Sequence, residues 1–61
     1  MAFYRVKAKG IDVKKALELG FGTNQFECDF DEVILVHTSE PTMRAMIKHY
    51  GIKTVGEITQ G

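Results

Sequence analysis

The amino-acid sequence predicts a small two-layer α+β domain, with two helices on one face of a three- or four-stranded sheet. Three observations support this fold class: an alternating N-terminal segment, two helical segments with capping residues, and a β-branched run between them. The predicted order is β-α-β-(β)-α-β, in which the strand in parentheses is left open. A chain of 61 residues has room for one domain, so we expect residues 1–61 to form a single domain. Because a domain this small buries only about 60% of its unfolded surface, its core is expected to be thin.

The first predicted strand runs from Tyr4 to Lys9. Apolar and basic residues alternate along it, which is typical of a strand with one buried face. The inward row is expected to contain Tyr4, Val6 and Ala8, and the outward row Arg5, Lys7 and Lys9. The outer face of this strand is therefore predicted to be basic.

A short helix is predicted between Asp12 and Gly20. Asp12 is a favourable N-cap residue, and Gly20 can adopt the left-handed conformation that ends many helices. We expect Phe21 to fold back on the helix, as apolar residues after such a cap commonly do. The expected apolar face consists of Val13, Ala16 and Leu17.

The middle of the chain predicts further strand structure after a loop at Gly22-Thr23-Asn24. Alternation then places Phe26, Cys28 and Phe30 in an inward row and Glu27, Asp29 and Asp31 in an outward row. The run from Val33 to Val36 predicts a strand that is buried on both faces. The two segments form either one bent strand or a hairpin near Asp31-Glu32, and the hairpin agrees better with the alternation.

The second helix is predicted from the sequence Thr38-Ser39-Glu40-Pro41, which offers an N-cap hydroxyl, an acidic first turn and an early proline. Its apolar stripe is expected to contain Met43, Met46, Ile47 and Tyr50, opposite the exposed pair Arg44 and Lys48. Gly51 ends the helix, and a last strand is predicted from Ile52 to Thr59, weakened or bulged at Gly56. The same C-terminal segment also permits a helix-turn-helix interpretation, in which Lys53 and Thr54 face a DNA groove.

Charge is distributed unevenly, although eight basic and eight acidic residues give a net charge of zero. Up to Lys15, five basic residues and one acidic residue give a balance of +4. From Ala16 to Glu40 there are six acidic residues and no Lys or Arg, and the remainder has a balance of +2. A zero total argues against overall attraction to a polyanion, but the acidic middle segment stands out.

The acidic middle segment has two interpretations. Glu27, Asp29, Asp31 and Glu32 can form a docking surface for a basic partner, because complementary charge speeds encounter and sets register. Alternatively the outward row of Glu27, Asp29 and Asp31 pairs across the sheet with Arg5, Lys7 and Lys9, since opposite charges on adjacent strands stabilise a sheet by about 0.2–1 kcal/mol per pair. The choice depends on whether the first and second strands are neighbours.

Other kinds of site have little support in the sequence. Cys28, His37 and His49 lack the spacing of metal-binding motifs, and an inward cysteine is usually unreactive. No glycine-rich phosphate loop is present either. We therefore expect no metal, no cofactor and no enzymatic activity.

The cellular compartment is indicated by the cysteine content and the N-terminal segment. The single cysteine suggests a reducing cytoplasm. Charged residues near the N-terminus argue against a signal peptide, and no apolar run approaches the length of a membrane span.

The segments Tyr4-Arg5-Val6-Lys7-Ala8 and Ser39-Glu40-Pro41, with the Gly51-Ile52-Lys53-Thr54-Val55 segment that follows, resemble in style the short single-domain accessory and inhibitor proteins of bacteriophages and mobile elements. That resemblance implies binding to a host enzyme or defence complex, frequently through an acidic surface. The resemblance does not assign a functional role to any individual residue of this sequence.

We therefore expect a non-enzymatic protein-binding module, with Glu27, Asp29, Asp31 and Glu32 contacting a larger partner that has a basic surface. The alternative is a small DNA-binding or regulatory module that uses Arg44, Lys48 and Lys53 with the basic first strand. A homo-oligomer is a third expectation, because small domains often gain missing burial by association.

Overall fold

The structure is a computed structural model that describes residues 3–24 and 28–61. Its elements are β1 (Tyr4–Lys9), α1 (Val13–Leu19), β2 (Gly22–Asn24), β3 (Glu32–His37), α2 (Glu40–Tyr50) and β4 (Lys53–Gln60). The strands form one four-stranded sheet in the order β2-β3-β1-β4, and all neighbouring strands are antiparallel. This arrangement confirms the α+β fold class and is the split β-α-β topology.

The core lies between the helices and one face of the sheet. Val6 and Ala8 of β1 alternate with exposed Arg5 and Lys9, as the sequence predicts. The buried hydrophobic cluster comprises Val6, Ala8, Ala16, Phe21, Val33, Leu35 and Met43. Because residues of both helices belong to this cluster, both helices cover the same face of the sheet.

Helix α1 begins and ends where its capping residues predict. An Asp12 side-chain oxygen, Oδ1, accepts a hydrogen bond from the Lys15 backbone N–H at 2.7 Å. Gly20 is left-handed at the C-terminal end, with φ of 102°. Phe21 then donates its backbone N–H to the Ala16 carbonyl at 3.0 Å and is itself buried. The expected return of the chain onto the helix is confirmed.

The apolar face of α1 differs from the prediction at one position. Ala16 is buried and Val13 is partly buried, but Leu17 is 57% exposed, and Leu19 packs against the core instead. Leu17 is one residue beyond Ala16 and therefore about 100° further around the helix axis. A helix of two turns covers a narrow part of the sheet, so this rotation carries Leu17 into solvent.

Helix α2 also begins and ends as predicted. The Ser39 hydroxyl accepts the Thr42 backbone N–H at 3.4 Å, and Gly51 is left-handed with φ of 65°. The Ile52 N–H then donates to the Ile47 carbonyl at 3.0 Å. Of the expected apolar stripe, Met43 is buried, Met46 and Ile47 are partly buried, and Tyr50 is 46% exposed.

The loop predicted at Gly22-Thr23-Asn24 is wrong, because these residues form β2 and pair with β3. Gly22 lies opposite Val36, and Asn24 lies opposite Ile34. Tertiary pairing with a strongly β-forming strand overrides the local turn preference of this segment. A hairpin does precede β3, with a turn at Asp29–Glu32 close to the predicted position near Asp31-Glu32, but its first strand is β2. The strand predicted over 26–30 is wrong for residues 28–30, which lie outside any strand.

Strand β3 is covered less completely than predicted. Val33 and Leu35 are fully buried toward the helices, whereas Ile34 and Val36 are only half-buried on the opposite face. The helices pack on one face only, so the other face of β3 stays partly open to solvent.

The C-terminal segment is strand β4, so the helix-turn-helix interpretation is wrong. Lys7 of β1 lies opposite Val55 and Arg5 lies opposite Thr59, so β4 has extra residues at this point. Gly56 lies in this bulge with φ of 81°, a conformation that residues with a Cβ atom rarely adopt. The predicted bulge at this glycine is confirmed.

Candidate functional site

A tight turn joins the β2 segment to β3 and carries most of the described acidic residues of the middle segment. The Glu32 backbone N–H donates to the Asp29 carbonyl at 3.1 Å, which closes the four-residue turn from Asp29 to Glu32. Asp29, Phe30 and Asp31 are all exposed. We call these three residues the acidic turn.

Glu32 is the one buried charged residue within the described part of the chain, at 9% exposure. Its Oε1 atom accepts the Asp29 backbone N–H at 3.0 Å and lies 3.9 Å from the Lys7 Nζ atom. A buried carboxylate needs such partners, because an unpartnered one would incur a large desolvation cost. Glu32 therefore holds the backbone of the acidic turn in place through its hydrogen bond to Asp29, and it is not part of the exposed surface of the turn.

Phe30 is fully exposed, at 106% of its reference area, and the prediction that it faces inward is wrong. The inward row assumed that strand alternation continues to residue 30. Phe30 instead lies at the corner of a turn, where side chains do not alternate between two faces. It is more exposed than any other large hydrophobic residue that the structure describes.

The acidic turn is also held by the segment that follows β1. The Gly10 backbone N–H donates to the Asp31 carbonyl at 2.9 Å. Together with the hydrogen bond from the Asp29 N–H to Glu32, this contact ties one end of the turn to β3 and the other to the residue directly after β1. The exposed side chains therefore project from a backbone that is hydrogen-bonded at both Asp29 and Asp31.

The remaining predicted residues of this segment differ in their placement. Glu27 and Phe26 lie outside the described residues. Cys28 is half-buried, and its Sγ atom is 3.8 Å from the Asn24 carbonyl oxygen. It is not a member of the buried hydrophobic cluster, so the prediction of a core cysteine is wrong.

The strand order answers the question of cross-strand charge pairing for the described residues. β1 lies between β3 and β4, and β2 is not its neighbour. Glu32, which lies outside the predicted outward row, forms an ion pair with Lys7, two residues before its register partner Lys9 on β1. Asp29 and Asp31 form no ion pair in the described part of the chain. Cross-strand charge pairing therefore involves Glu32, whereas the carboxylates of Asp29 and Asp31 remain exposed.

The basic residues of the alternative function do not share one surface. Arg5, Lys7 and Lys9 lie on the sheet face opposite the helices, and Lys53 lies opposite Lys9 on the adjacent strand. Arg44 and Lys48 are on α2, which packs against the other face; Arg44 also forms an ion pair with Glu40 at 2.8 Å.

His37 makes a structural contact, and the described residues offer no candidate metal site. The His37 Nδ1 atom accepts the Ser39 backbone N–H at 2.9 Å, and the ring lies edge-on to Phe21. His37 thus helps to join β3 to α2. No group of three or more His, Cys, Asp or Glu side chains in residues 3–24 and 28–61 is placed to hold a metal ion. Over the same residues, neither helix is long and apolar enough to cross a membrane.

Comparison with known proteins adds no family to these observations. No protein-family model, curated protein or solved structure matches the chain.

Proposed function

We propose that the chain is a non-enzymatic protein-binding module that contacts a larger protein through the acidic turn. The observation that carries this proposal is the full exposure of Phe30 between two exposed carboxylates. Transfer of an exposed aromatic side chain from water into a partner's apolar pocket is favourable. Aromatic residues, Phe among them, are enriched at the buried centres of protein–protein interfaces.

The two carboxylates define the chemistry of the partner. Asp29 and Asp31 flank Phe30 on either side in the sequence, so a matching surface has an apolar pocket with a basic rim. Complementary charge of this kind accelerates encounter and excludes partners of the wrong charge. Because the turn backbone is hydrogen-bonded to Gly10, directly after β1, and to Glu32 at the start of β3, little conformational entropy is lost when it docks.

The phage-type inhibitor of a host enzyme or defence complex is the specific form of this proposal that the sequence resemblance favours. A reducing cytoplasm is the proposed compartment, because the chain has a single cysteine.

The experiment is affinity purification of the tagged chain from its native cells, followed by titration against the purified partner. The binding variant combines Asp29→Asn, Phe30→Ser and Asp31→Asn. We expect it to bind at least about 30-fold more weakly, as removal of a dominant interface residue typically does. Affinity of the unmodified chain is expected to fall as salt is added.

A matched control variant changes the same number of exposed residues elsewhere, with Leu17→Ser, Glu18→Gln and Glu57→Gln. All three side chains are exposed and none belongs to the acidic turn. The control is expected to bind within about threefold of the unmodified chain. Equal binding by the unmodified chain and the binding variant would refute the proposal.

A second candidate function is binding of nucleic acid on the sheet face opposite the helices. The observation that favours it is the row formed by Arg5, Lys7 and Lys9, extended by Lys53 on β4. Phe3, which continues the alternation of β1, is 44% exposed. Basic strands with an exposed aromatic residue suit single-stranded nucleic acid, whose phosphates and bases they can contact together.

Binding to single-stranded and duplex oligonucleotides at low salt tests this second candidate. Changing Arg5, Lys9 and Lys53 to Gln should abolish binding, whereas changing Lys14, Arg44 and Lys48 to Gln should not. Affinity that falls steeply with added salt supports the candidate. Absence of binding at low salt excludes it, with no effect on the protein-binding proposal.

A further inference from the structure

A groove lies between the start of α1, the C-terminal ends of both helices and the beginning of β4. Its apolar lining includes Ile11, Leu19, Tyr50 and Ile52. Its charged lining consists of Lys9, Lys15 and Lys53, all exposed, and none of its lining residues is acidic. The groove therefore has an apolar floor and a wholly basic rim.

The groove and the acidic turn are neighbours on the molecule. Gly10 lines the groove, and its backbone N–H donates to the Asp31 carbonyl at 2.9 Å. Phe30 does not occupy the groove of its own chain, because its side chain is fully exposed. One copy of the protein thus displays an unfilled basic groove beside an unburied acidic and aromatic turn.

The two features are complementary in charge and polarity. The turn has an aromatic side chain between two carboxylates, and the groove has an apolar floor among three lysines. We propose that this groove binds the acidic turn of a second copy of the chain, which rests on the proposed function because both use the acidic turn. In the dimer, Phe30 lies over Ile11 and Leu19, and the carboxylates face Lys15 and Lys53.

The adjacency of groove and turn determines the expected symmetry. A two-fold axis relates the same two features on both copies, so each turn can enter the groove of the other copy. Such a closed arrangement makes the contact twice and ends at a dimer. It also gives a 61-residue domain additional apolar burial, which small domains commonly obtain by association.

Sedimentation equilibrium from about 1 µM to about 1 mM protein tests the dimer over a range suited to weak association. The unmodified chain is expected to shift from monomer to dimer across this range. A groove variant with Lys15→Glu and Lys53→Glu should be monomeric, as should a turn variant with Asp29→Lys and Asp31→Lys. In each variant, turn and groove have net charges of the same sign, because Lys9 is outnumbered by two glutamates in the groove variant.

Mixing the two variants gives the decisive measurement. The acidic groove of the groove variant is now opposite in charge to the basic turn of the turn variant. The unmodified acidic turn of the groove variant is likewise opposite in charge to the unmodified basic groove of the turn variant. We expect an equimolar mixture to form a heterodimer although neither variant self-associates. Adding Phe30→Ser to both variants should abolish the heterodimer, which separates the specific contact from general attraction between oppositely charged chains.

The outcomes distinguish this inference from the proposed function. A chain that stays monomeric to about 1 mM, or a mixture that does not form the heterodimer, overturns the inference. Dimerisation that persists in the groove variant overturns it as well. The groove variant keeps the acidic turn intact, so partner binding by that variant shows that the proposed function holds even if the dimer does not. Circular dichroism of each variant confirms that it is folded.

Discussion

Glu32 and Asp29 are hydrogen-bonded to each other in both directions. The Glu32 Oε1 atom accepts the Asp29 N–H at 3.0 Å, and the Glu32 N–H donates to the Asp29 carbonyl at 3.1 Å. The same carboxylate oxygen is 3.9 Å from the Lys7 Nζ atom on the neighbouring strand. One buried side chain therefore connects the acidic turn to β1 and supports the backbone from which Phe30 projects.

The first prediction concerns this connection. Glu32→Ala should lower the free energy of unfolding by about 1–3 kcal/mol, because it removes a buried hydrogen bond to a charged group. Glu32→Gln should cost less, since the amide oxygen can still accept the Asp29 N–H. Urea denaturation measures both changes. The control Glu18→Ala, at an exposed helical position, should stay within about 0.5 kcal/mol, and an equal cost at both sites would contradict the role of Glu32.

The second prediction compares two leucines under the same substitution. Leu35 is fully buried and Leu17 is 57% exposed. Leu35→Ala should cost about 2–5 kcal/mol through lost burial and the cavity left behind. Leu17→Ala should cost less than about 0.5 kcal/mol. A chain of 61 residues has a total stability of about 3–9 kcal/mol, so only the first variant should show a large fall in melting temperature.

The third prediction compares two phenylalanines in the same way. Phe21 is 2% exposed within the core, and Phe30 is fully exposed. Phe21→Ala should cost about 3–5 kcal/mol, while Phe30→Ala should leave stability within about 0.5 kcal/mol. Thermal denaturation measures the difference. Substantial destabilisation by Phe30→Ala would mean that this ring is packed in solution, and would remove the basis for its role in docking.

The fourth prediction concerns the bulge in β4. Gly56 has φ of 81°, and a Cβ atom added there would meet nothing within 4 Å. Gly56→Ala should therefore cost about 1–2 kcal/mol from backbone conformation alone. The control is Gly22→Ala, where a Cβ would make ordinary contacts with Val36 at 3.5 Å. In this strand alanine should be neutral or stabilising. Chemical denaturation that shows the opposite order would contradict the bulge.

Several features were predictable from the sequence because their causes lie within a few residues of one another. Asp12 and Gly20 bound α1, and Ser39 and Gly51 bound α2, through hydrogen bonds that span three to five residues. The alternation of β1 places its apolar residues inward for an equally local reason. The fold class follows from these elements, since two helices and several strands in a short chain pack in two layers.

The acidic turn was less predictable, because its geometry depends on residues distant in sequence. Gly22 forms a strand only because Val36 lies opposite it. Phe30 is exposed because the hairpin turns at its position, and the strand alternation assumed for it does not apply.

The sequence by itself determined the helices, their caps, the first and last strands and the concentration of acidic residues between them. Only the tertiary structure decided that Glu32 is buried while Asp29 and Asp31 are exposed. The reason is that β3 pairs with β1, which brings Lys7 to Glu32 and leaves the preceding turn beyond the end of the strands. Burial and charge pairing arise from this long-range register, which local sequence patterns do not specify.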